Sequence, residues 1–431
     1  MNAVVWPGKL SGTVQAPPSK SCAHRLLIAA ALADRPVTLT GLPMNAAGQD
    51  VAATVSALTA LGARFESDKD HVLVTPIDRA ALDRLTLPVV GCGESGSTLR
   101  FMLPVVAALG VPSQFTGEGR LPERPIGALA EQMIRHGAVF EAGIKLPFTV
   151  SGTLRGGVWE LPGDVSSQFV SGLLFALPML AEDSRIELTG PLESSGYVDL
   201  TISTLEAFGV RAFKDGGGYS IPGGQTYRAP DAPLAVEGDW SGAAFWYGAN
   251  ALGSDIKIEG LSANSWQPDR AVSSLIDALI LGANTLDLSG VPDLTPIMAI
   301  IAAGLRLPVR LTGLARLRLK ESDRVKAIAQ GLHDLHIPAI ALPDALIIPR
   351  CDGLTEGAID AFDDHRIAMA FAIAGTAGRR SIAITGAECV AKSYASFWDD
   401  LKALGGQVRF MSIMVEPNDE NSEKVRLVMN E

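Results

Sequence analysis

Residues 163–180, GDVSSQFVSGLLFALPML, and residues 238–253, GDWSGAAFWYGANALG, share a Gly-Asp-x-Ser turn that opens directly into an apolar helix-like run. The same phrase, a turn of small and polar residues followed by an Ala-rich run, recurs as PSKSCAHRLLIAAALA (18–33), GESGSTLRFMLPVVAALG (93–110), PDLTPIMAIIAAGL (292–305) and DDHRIAMAFAIAG (363–375). A second phrase follows each: an amphipathic helix pattern that stops and gives way to a short β-like run, as in VAATVSALTALGARF (51–65) or LTISTLEAFGVRAF (200–213). The stop residues are Gly62, Gly137, Gly209, Gly282, Ile337 and Gly405, spaced 75, 72, 73, 55 and 68 residues apart. Five of the six are glycines, the usual helix C-cap. A period of roughly 70 residues is too long for the short-repeat solenoids.

Segments such as PVTLTGL (36–42), SRIELTG (184–190) and SIAITGA (381–387) alternate β-branched residues before a glycine and read as strands. Each unit is therefore expected to be a βαβαββ module, and the fold class α/β, with two domains of three modules. The first helix of each module is apolar nearly all round, which calls for burial on every side. The Pro-rich stretch 222–239 sits where the module spacing is most irregular, which puts the domain crossing near Pro233. The expected domains are 15–233 and a discontinuous 1–14 plus 234–431.

At 431 residues the chain exceeds one typical domain, and 47% hydrophobic with 19% charged residues is a globular composition. A net charge of −11 argues against a protein built to bind phosphate backbones unspecifically. Cys22, Cys92, Cys351 and Cys389 form no CxxC pair, so neither a disulfide framework nor a zinc knuckle is indicated. Residues 1–20 hold no signal-peptide core, and apolar stretches such as 101–117 are broken by proline. The expectation is a soluble, cytoplasmic protein with no membrane or nucleic-acid partner.

The start of a helix presents unpaired N–H groups and a partial positive charge, an anion site where Gly and Ser keep the approach open. Ser, Asp and Gly there also serve as ordinary N-caps. The neighbouring charges favour the anion reading. Lys20 and Arg25 bracket the first turn, Arg100 follows the second, and Arg120 and Arg124 come next. Arg318, Lys320 and Arg324 lie in RLRLKESDR, Arg366 follows the sixth turn, and Lys392 lies in CVAKSY. Forked Arg donors and Lys point charges suit phosphate and carboxylate. Asp293, in VPDLTP, and Glu321, between Lys320 and Arg324, are the acid and base candidates. His24 and His365 belong to no HExxH or triad-like grouping, and GxxxxGK[ST] is absent.

Nine ordered motifs, PSKSCAHR, GESGSTLRF, GEGRLPERPIG, PGDVSSQFVSGLL, SSGY, VPDLTP, LKESDR, DDHRIAMA and AKSY, resemble the 5-enolpyruvylshikimate-3-phosphate synthase family and span about Lys20 to Lys392. The resemblance implies the inside-out α/β barrel fold of enolpyruvyl transferases and a reaction between shikimate 3-phosphate and phosphoenolpyruvate. It implies no metal and no organic cofactor, and a monomer. It also implies roles position by position. Lys20, Ser21, Arg25, Ser166, Ser167, Gln168, Ser194, Tyr197, Asp293 and Lys320 would hold shikimate 3-phosphate. Lys20, Gly96, Arg124, Gln168, Arg324, Arg366 and Lys392 would hold phosphoenolpyruvate. Asp293 would be the base toward the 5-hydroxyl, and Glu321, assisted by Lys20, the proton donor. A methyl at Gly96 would crowd the inhibitor glyphosate.

The chain departs from the family pattern at Glu94 (commonly Asn), Ser97 (commonly Thr), Ser195-Gly196 (Lys-Pro in many relatives) and Arg316 (often an Asn that contacts the shikimate ligand). UDP-N-acetylglucosamine enolpyruvyl transferase shares the module count. However, its mobile loop usually carries a Cys, which GEGRLPERPIG lacks, and it opens with Lys-Asn rather than Lys-Ser. A silent anion-binding scaffold would leave Lys20, Asp293 and Glu321 together without a purpose. A nucleic-acid cyclase of similar modules lacks its catalytic His here.

Overall fold

The computed structural model of the chain describes residues 1–44, 47–416 and 424–429. Its α-helices are α1 (Lys20–Ala31), α2 (Gly48–Ala60), α3 (Gly96–Ala108), α4 (Gly127–Arg135), α5 (Ser167–Ala176), α6 (Ser195–Ala207), α7 (Trp240–Ala251), α8 (Val272–Ile280), α9 (Thr295–Gly304), α10 (Arg324–Asp334), α11 (His365–Ala377) and α12 (Phe397–Ala403). The odd-numbered helices are the six apolar runs. They are buried along nearly their whole length, in α9 from Thr295 to Ala303 and in α11 from His365 to Thr376. No polar face is left to point at water, so each must be enclosed by other elements.

The even-numbered helices end at a residue in the left-handed region: Gly62 (φ 98°), Gly137 (107°), Gly209 (69°), Gly282 (96°) and Gly405 (90°). After α10 that place is taken by His336 (φ 62°), one residue before the expected stop at Ile337. The Ile-Pro pair marked the end of the helix but not the residue that makes the turn.

The strands complete the module. Val89–Gly91, α3 and Ser113–Thr116 form a parallel βαβ unit, and after α4 the hairpin Ala138–Glu141 and Phe148–Gly152 adds antiparallel, giving a four-stranded sheet. The same order recurs around α5 and α9. In the first module, however, the parallel partner of Val37–Thr40 is Leu234–Ala235, nearly 200 residues later in the chain. Ser11–Gln15, which directly precedes α1, pairs instead with Asp255–Glu259 after α7. Two modules thus exchange their first strands. Asn2–Trp6 likewise lies between Ile382–Thr385 and Gln407–Glu416 in the last sheet, where the other modules use their own hairpin strand. The fourth module has no hairpin, since α8 is followed directly by Thr285–Asp287, the first strand of the fifth. This truncation accounts for the 55-residue step and corrects the expectation of six full βαβαββ modules. KVRLVM forms a strand, Lys424–Met429, at the edge of the last sheet.

The chain divides into two compact units: Pro18–Asp239 with Ser262–Pro268, and Met1–Pro17, Trp240–Leu261 and Asp269–Glu431. Pro233 stands just before the Leu234–Ala235 pairing, and the chain changes unit after Asp239. Each unit has its own continuous hydrophobic core. In the first, α3 and α5 cross at backbone contact, because a Cβ on Gly172 would run into the carbonyl of Arg100. Close packing of this kind places the starts of the two helices side by side. No helix among the described residues is long and apolar enough to cross a membrane.

Candidate active site

In the first unit the expected residues gather at the starts of α1, α3, α5 and α6. Ser19 caps α1, its side chain accepting from Cys22 N at 3.3 Å, and Lys20 follows with its ammonium 3.1 Å from Asp50 Oδ2. Arg25, one turn on, is 3% exposed. Its Nε donates to Thr201 Oγ1 (2.8 Å), one terminal nitrogen to the Ser21 carbonyl (2.8 Å) and the other to the Tyr197 carbonyl (2.9 Å). Burial pulls its pKa down to about 10, so it stays cationic at neutral pH. Arg25 therefore straps the start of α1 to the start of α6, and in this state much of its donor capacity serves the protein.

Ser95 caps α3 and Ser166 caps α5. Gln168 joins the two helices: its Nε2 donates to Ser97 Oγ (2.9 Å), and its Oε1 accepts from Arg100 (2.6 Å). Ser97, the departure from Thr, thus keeps a hydroxyl in use. The guanidinium of Arg124 lies on Gly96, and a Cβ there would come within 2.7 Å of it. Glu94 lies over Gly119 in the GEGR loop. Ser194, at φ 54°, turns the chain into α6. A Cβ on Gly196 would stand 2.9 Å from Pro268, which explains the glycine in place of the family's proline. Ser167 is buried beside Ser166 at the start of α5.

In the second unit the pattern is a buried ion cluster. Arg324 opens α10 and is 1% exposed. It donates to Asp293 Oδ1 (2.7 Å), Glu321 Oε2 (2.8 Å) and Asp364 Oδ2 (2.7 Å). Asp364 also caps α11 and accepts from Ser322 (3.0 Å). Arg366 reaches Asp293 Oδ2 at 3.1 Å and Lys320 lies 3.5 Å from Oδ1. Lys392 is bound by Asp363 through its carboxylate (2.7 Å) and its carbonyl (2.8 Å). Arg316, which stands where the family often has Asn, donates to the Ser289 carbonyl at 3.1 Å and so ties the Lys320 loop to the Asp293 loop.

Around Asp293, burial favours the neutral acid, but Arg366, Lys320 and Arg324 outweigh it and hold the carboxyl well below the usual range. Arg324 is pushed the other way. Burial lowers its pKa, and Asp364, Glu321 and Asp293 together raise it above the usual range. Asp293 is thus ionised in the folded protein.

A depressed folded-state pKa contributes stability above the unfolded-state value of about 3.9 and loses it as the pH falls through the folded value. The gap between the urea midpoints of wild type and Asp293→Asn should be constant from pH 7 to about pH 4 and narrow progressively as the pH falls further. A gap that does not narrow below about pH 4 would rule this out.

Asp50 and Asp364 join these residues by geometry but were not among the expected ones, and Arg100, one of the cations beside the turns, had no assigned role. Asp50, an acid in the first turn of α2, has no mark in the sequence that sets it apart from an ordinary helix-start acid.

Helix starts bearing Ser, Lys and Arg, on buried βαβ modules in two units, define the enolpyruvyl transferase class of fold. The chain aligns with the solved enolpyruvyl transferase NikO from Streptomyces tendae at TM-score 0.71 and 17% identity, over 95% of this chain and 98% of that one. It aligns with EPSP synthase from Acinetobacter baumannii at TM-score 0.76 and 26% identity, over 94% and 99%. Residues 4–401 match the family profile described as EPSP synthase (3-phosphoshikimate 1-carboxyvinyltransferase). The 3-phosphoshikimate 1-carboxyvinyltransferase of Clostridium kluyveri is 40% identical over 428 residues, 94% of this chain and 98% of that one. That of Clostridium acetobutylicum is 36% identical over 434 residues, 96% and 100%. The chain belongs to the EPSP synthase family.

Proposed function

We propose that the chain transfers the carboxyvinyl group of phosphoenolpyruvate to the 5-hydroxyl of shikimate 3-phosphate, releasing phosphate, in the cytoplasm and as a monomer, on the route to chorismate and the aromatic amino acids. The observation that carries the reading is the cluster in which Asp293 and Glu321 share Arg324, with Arg366 and Lys320 on the same carboxylate. A silent scaffold needs cations for its ligands but no pair of carboxylates held among them.

Two opposite proton transfers are required. In the addition, the 5-oxygen bonds to C2 of phosphoenolpyruvate while its proton passes to Asp293, and C3 gains a proton from Glu321, with Lys20 assisting. In the elimination, C3 returns its proton to Glu321, the C2–O bond to phosphate breaks and the leaving phosphate takes the proton held by Asp293, which restores both carboxyl groups. The cations that keep Asp293 ionised also weaken it as a base. When phosphoenolpyruvate takes up Arg324 and Arg366, with Lys392 beside them as a further ligand, the pull of the two arginines on Asp293 is shared and its basicity rises. In the first unit, Lys20, Ser21, Arg25, Ser166, Ser167, Gln168, Ser194 and Tyr197 receive shikimate 3-phosphate, and Gly96 and Arg124 receive phosphoenolpyruvate.

The test is phosphate release from phosphoenolpyruvate with and without shikimate 3-phosphate, UDP-N-acetylglucosamine serving as the rival acceptor. Release that depends on shikimate 3-phosphate is expected. Release with the nucleotide sugar alone, or binding without release, would overturn the reading.

Gly96→Ala should leave the fold intact, because the contact it creates is with the movable end of Arg124. It should raise KM for phosphoenolpyruvate about tenfold, the scale of one displaced charge-assisted hydrogen bond. The wild-type enzyme should be inhibited by glyphosate, and an unchanged rate at millimolar inhibitor would refute that.

A further inference from the structure

Beneath the first unit's anion-binding turns runs a single file of side-chain polar atoms that the proposed chemistry does not use. Ser95 Oγ accepts the Thr98 N–H at 3.1 Å and lies 2.8 Å from Thr98 Oγ1. Thr98 Oγ1 is 2.7 Å from Thr54 Oγ1 and 3.4 Å from the Asp50 carbonyl. Thr54 Oγ1 is 2.7 Å from His24 Nδ1. Ser95, Thr54 and Thr98 are 0% exposed and His24 is 1% exposed. The file connects α1, α2 and α3.

Its direction follows from proton counting. Thr98 Oγ1 donates its one proton to Ser95 Oγ, with the Asp50 carbonyl a longer second acceptor at 3.4 Å, so Thr54 must supply the proton between the two threonines. Thr54 then accepts from His24, whose hydrogen sits on Nδ1. The lone pair on Nε2 is left in the core, and Nε2 has no hydrogen-bond partner. Burial, with Lys20 and Arg25 on either side, keeps the imidazole neutral, as this arrangement requires.

A core built for packing alone has no use for these hydroxyls. Buried polar atoms cost free energy unless they are bonded, and valine has the shape of threonine without that cost. What the file joins is informative. The Asp50 carbonyl is tied to Thr98 while its carboxylate holds Lys20 at 3.1 Å, and Ser95 is the cap directly before Gly96 and Ser97. Both Lys20 and the first turn of α3 therefore hang on Thr98.

We infer that Thr98 and Thr54 are positioning residues that set the spacing between Lys20 and the α3 start, and through it the affinity for phosphoenolpyruvate. The inference rests on the function proposed above. Lys20 is shared by both substrates, but the other expected shikimate 3-phosphate contacts at the starts of α5 and α6 are not members of the file, whereas the α3 start is expected to hold phosphoenolpyruvate, so the larger effect should fall on phosphoenolpyruvate.

The experiment measures KM for each substrate and the thermal midpoint of the full-length enzyme as wild type, Thr98→Val, Thr54→Val and Thr98→Ser. Wild-type turnover that requires shikimate 3-phosphate establishes the underlying reaction, and its absence defeats that reading rather than this one. With turnover present, Thr98→Val should raise KM for phosphoenolpyruvate about tenfold, the scale of one lost hydrogen bond, with KM for shikimate 3-phosphate within about twofold. Thr98→Ser, which keeps the hydroxyl, should restore the wild-type value. If Thr98→Val fails to fold, Thr54→Val carries the same expectation. Equal shifts in both KM values, a change in thermal midpoint alone, or failure of the serine variant to rescue would overturn the inference.

Discussion

Asp293→Ala is expected to lower kcat by about 10³-fold, within the range that general acid–base catalysis contributes, while KM for phosphoenolpyruvate stays level or falls. The sign of the KM effect is the more telling half. In the folded protein Arg324, Arg366 and Lys320 surround this carboxylate at 2.7, 3.1 and 3.5 Å. Deleting it removes a negative charge from the place where an anionic substrate must bind and releases two of these cations, Arg324 and Arg366, toward phosphoenolpyruvate. A residue that only organised the cations would, when removed, weaken binding and leave kcat less affected. Steady-state kinetics with both substrates, and phosphoenolpyruvate binding measured apart from turnover, separate the two cases. A kcat within tenfold of wild type would remove Asp293 from the role of base.

The largest effect on stability is expected at Arg324. Its guanidinium contacts Asp293, Glu321 and Asp364 from a position that is 1% exposed. Arg324→Met would leave three carboxylates deprived of a shared partner, and removing one member of a buried ion group costs about 3–5 kcal/mol. Arg324→Lys keeps the charge. A single ammonium, however, cannot reproduce a planar fork directed at three acceptors, so it should recover part of the stability and little of the phosphoenolpyruvate affinity. Urea denaturation together with substrate KM values reads both quantities. Equal stability of the methionine variant and wild type would show that the cluster is not bound together by Arg324.

Much of the architecture was legible because it is written in local signals. The apolar runs after each turn have no polar face, which forces burial, and the glycine stops mark where the second helices must reverse. The 55-residue step already carried the truncated fourth module, although the step alone does not say which strands are missing. The strand exchange was not legible. Ser11–Gln15 and Leu234–Ala235 each directly precede a buried helix, as a module's first strand should, and both are compatible with either partner sheet. His336 was missed because its left-handed backbone is not announced by residue type, as it is at the five glycines.

The site divides along the same line. Lys20, Asp293, Glu321, Arg324 and Arg366 stood out as charges beside the turns, while Gly96 and Gln168 were named through the family resemblance of their motifs. Which of them touch one another could not be read there. Asp50 on Lys20, Arg100 on Gln168 and Asp364 on Arg324 join residues 30, 68 and 40 positions apart. From sequence alone, Arg25 and Gln168 looked like simple ligands. In the fold they are also braces, with their donors and acceptors already engaged by neighbouring helices. The sequence by itself determined the module, its repetition and the residue types at each turn, because helix periodicity, capping and turn chemistry are local. The tertiary structure alone decided which module lends a strand to which and which acid balances which base, because pairings between distant residues depend on how close packing brings helix starts together.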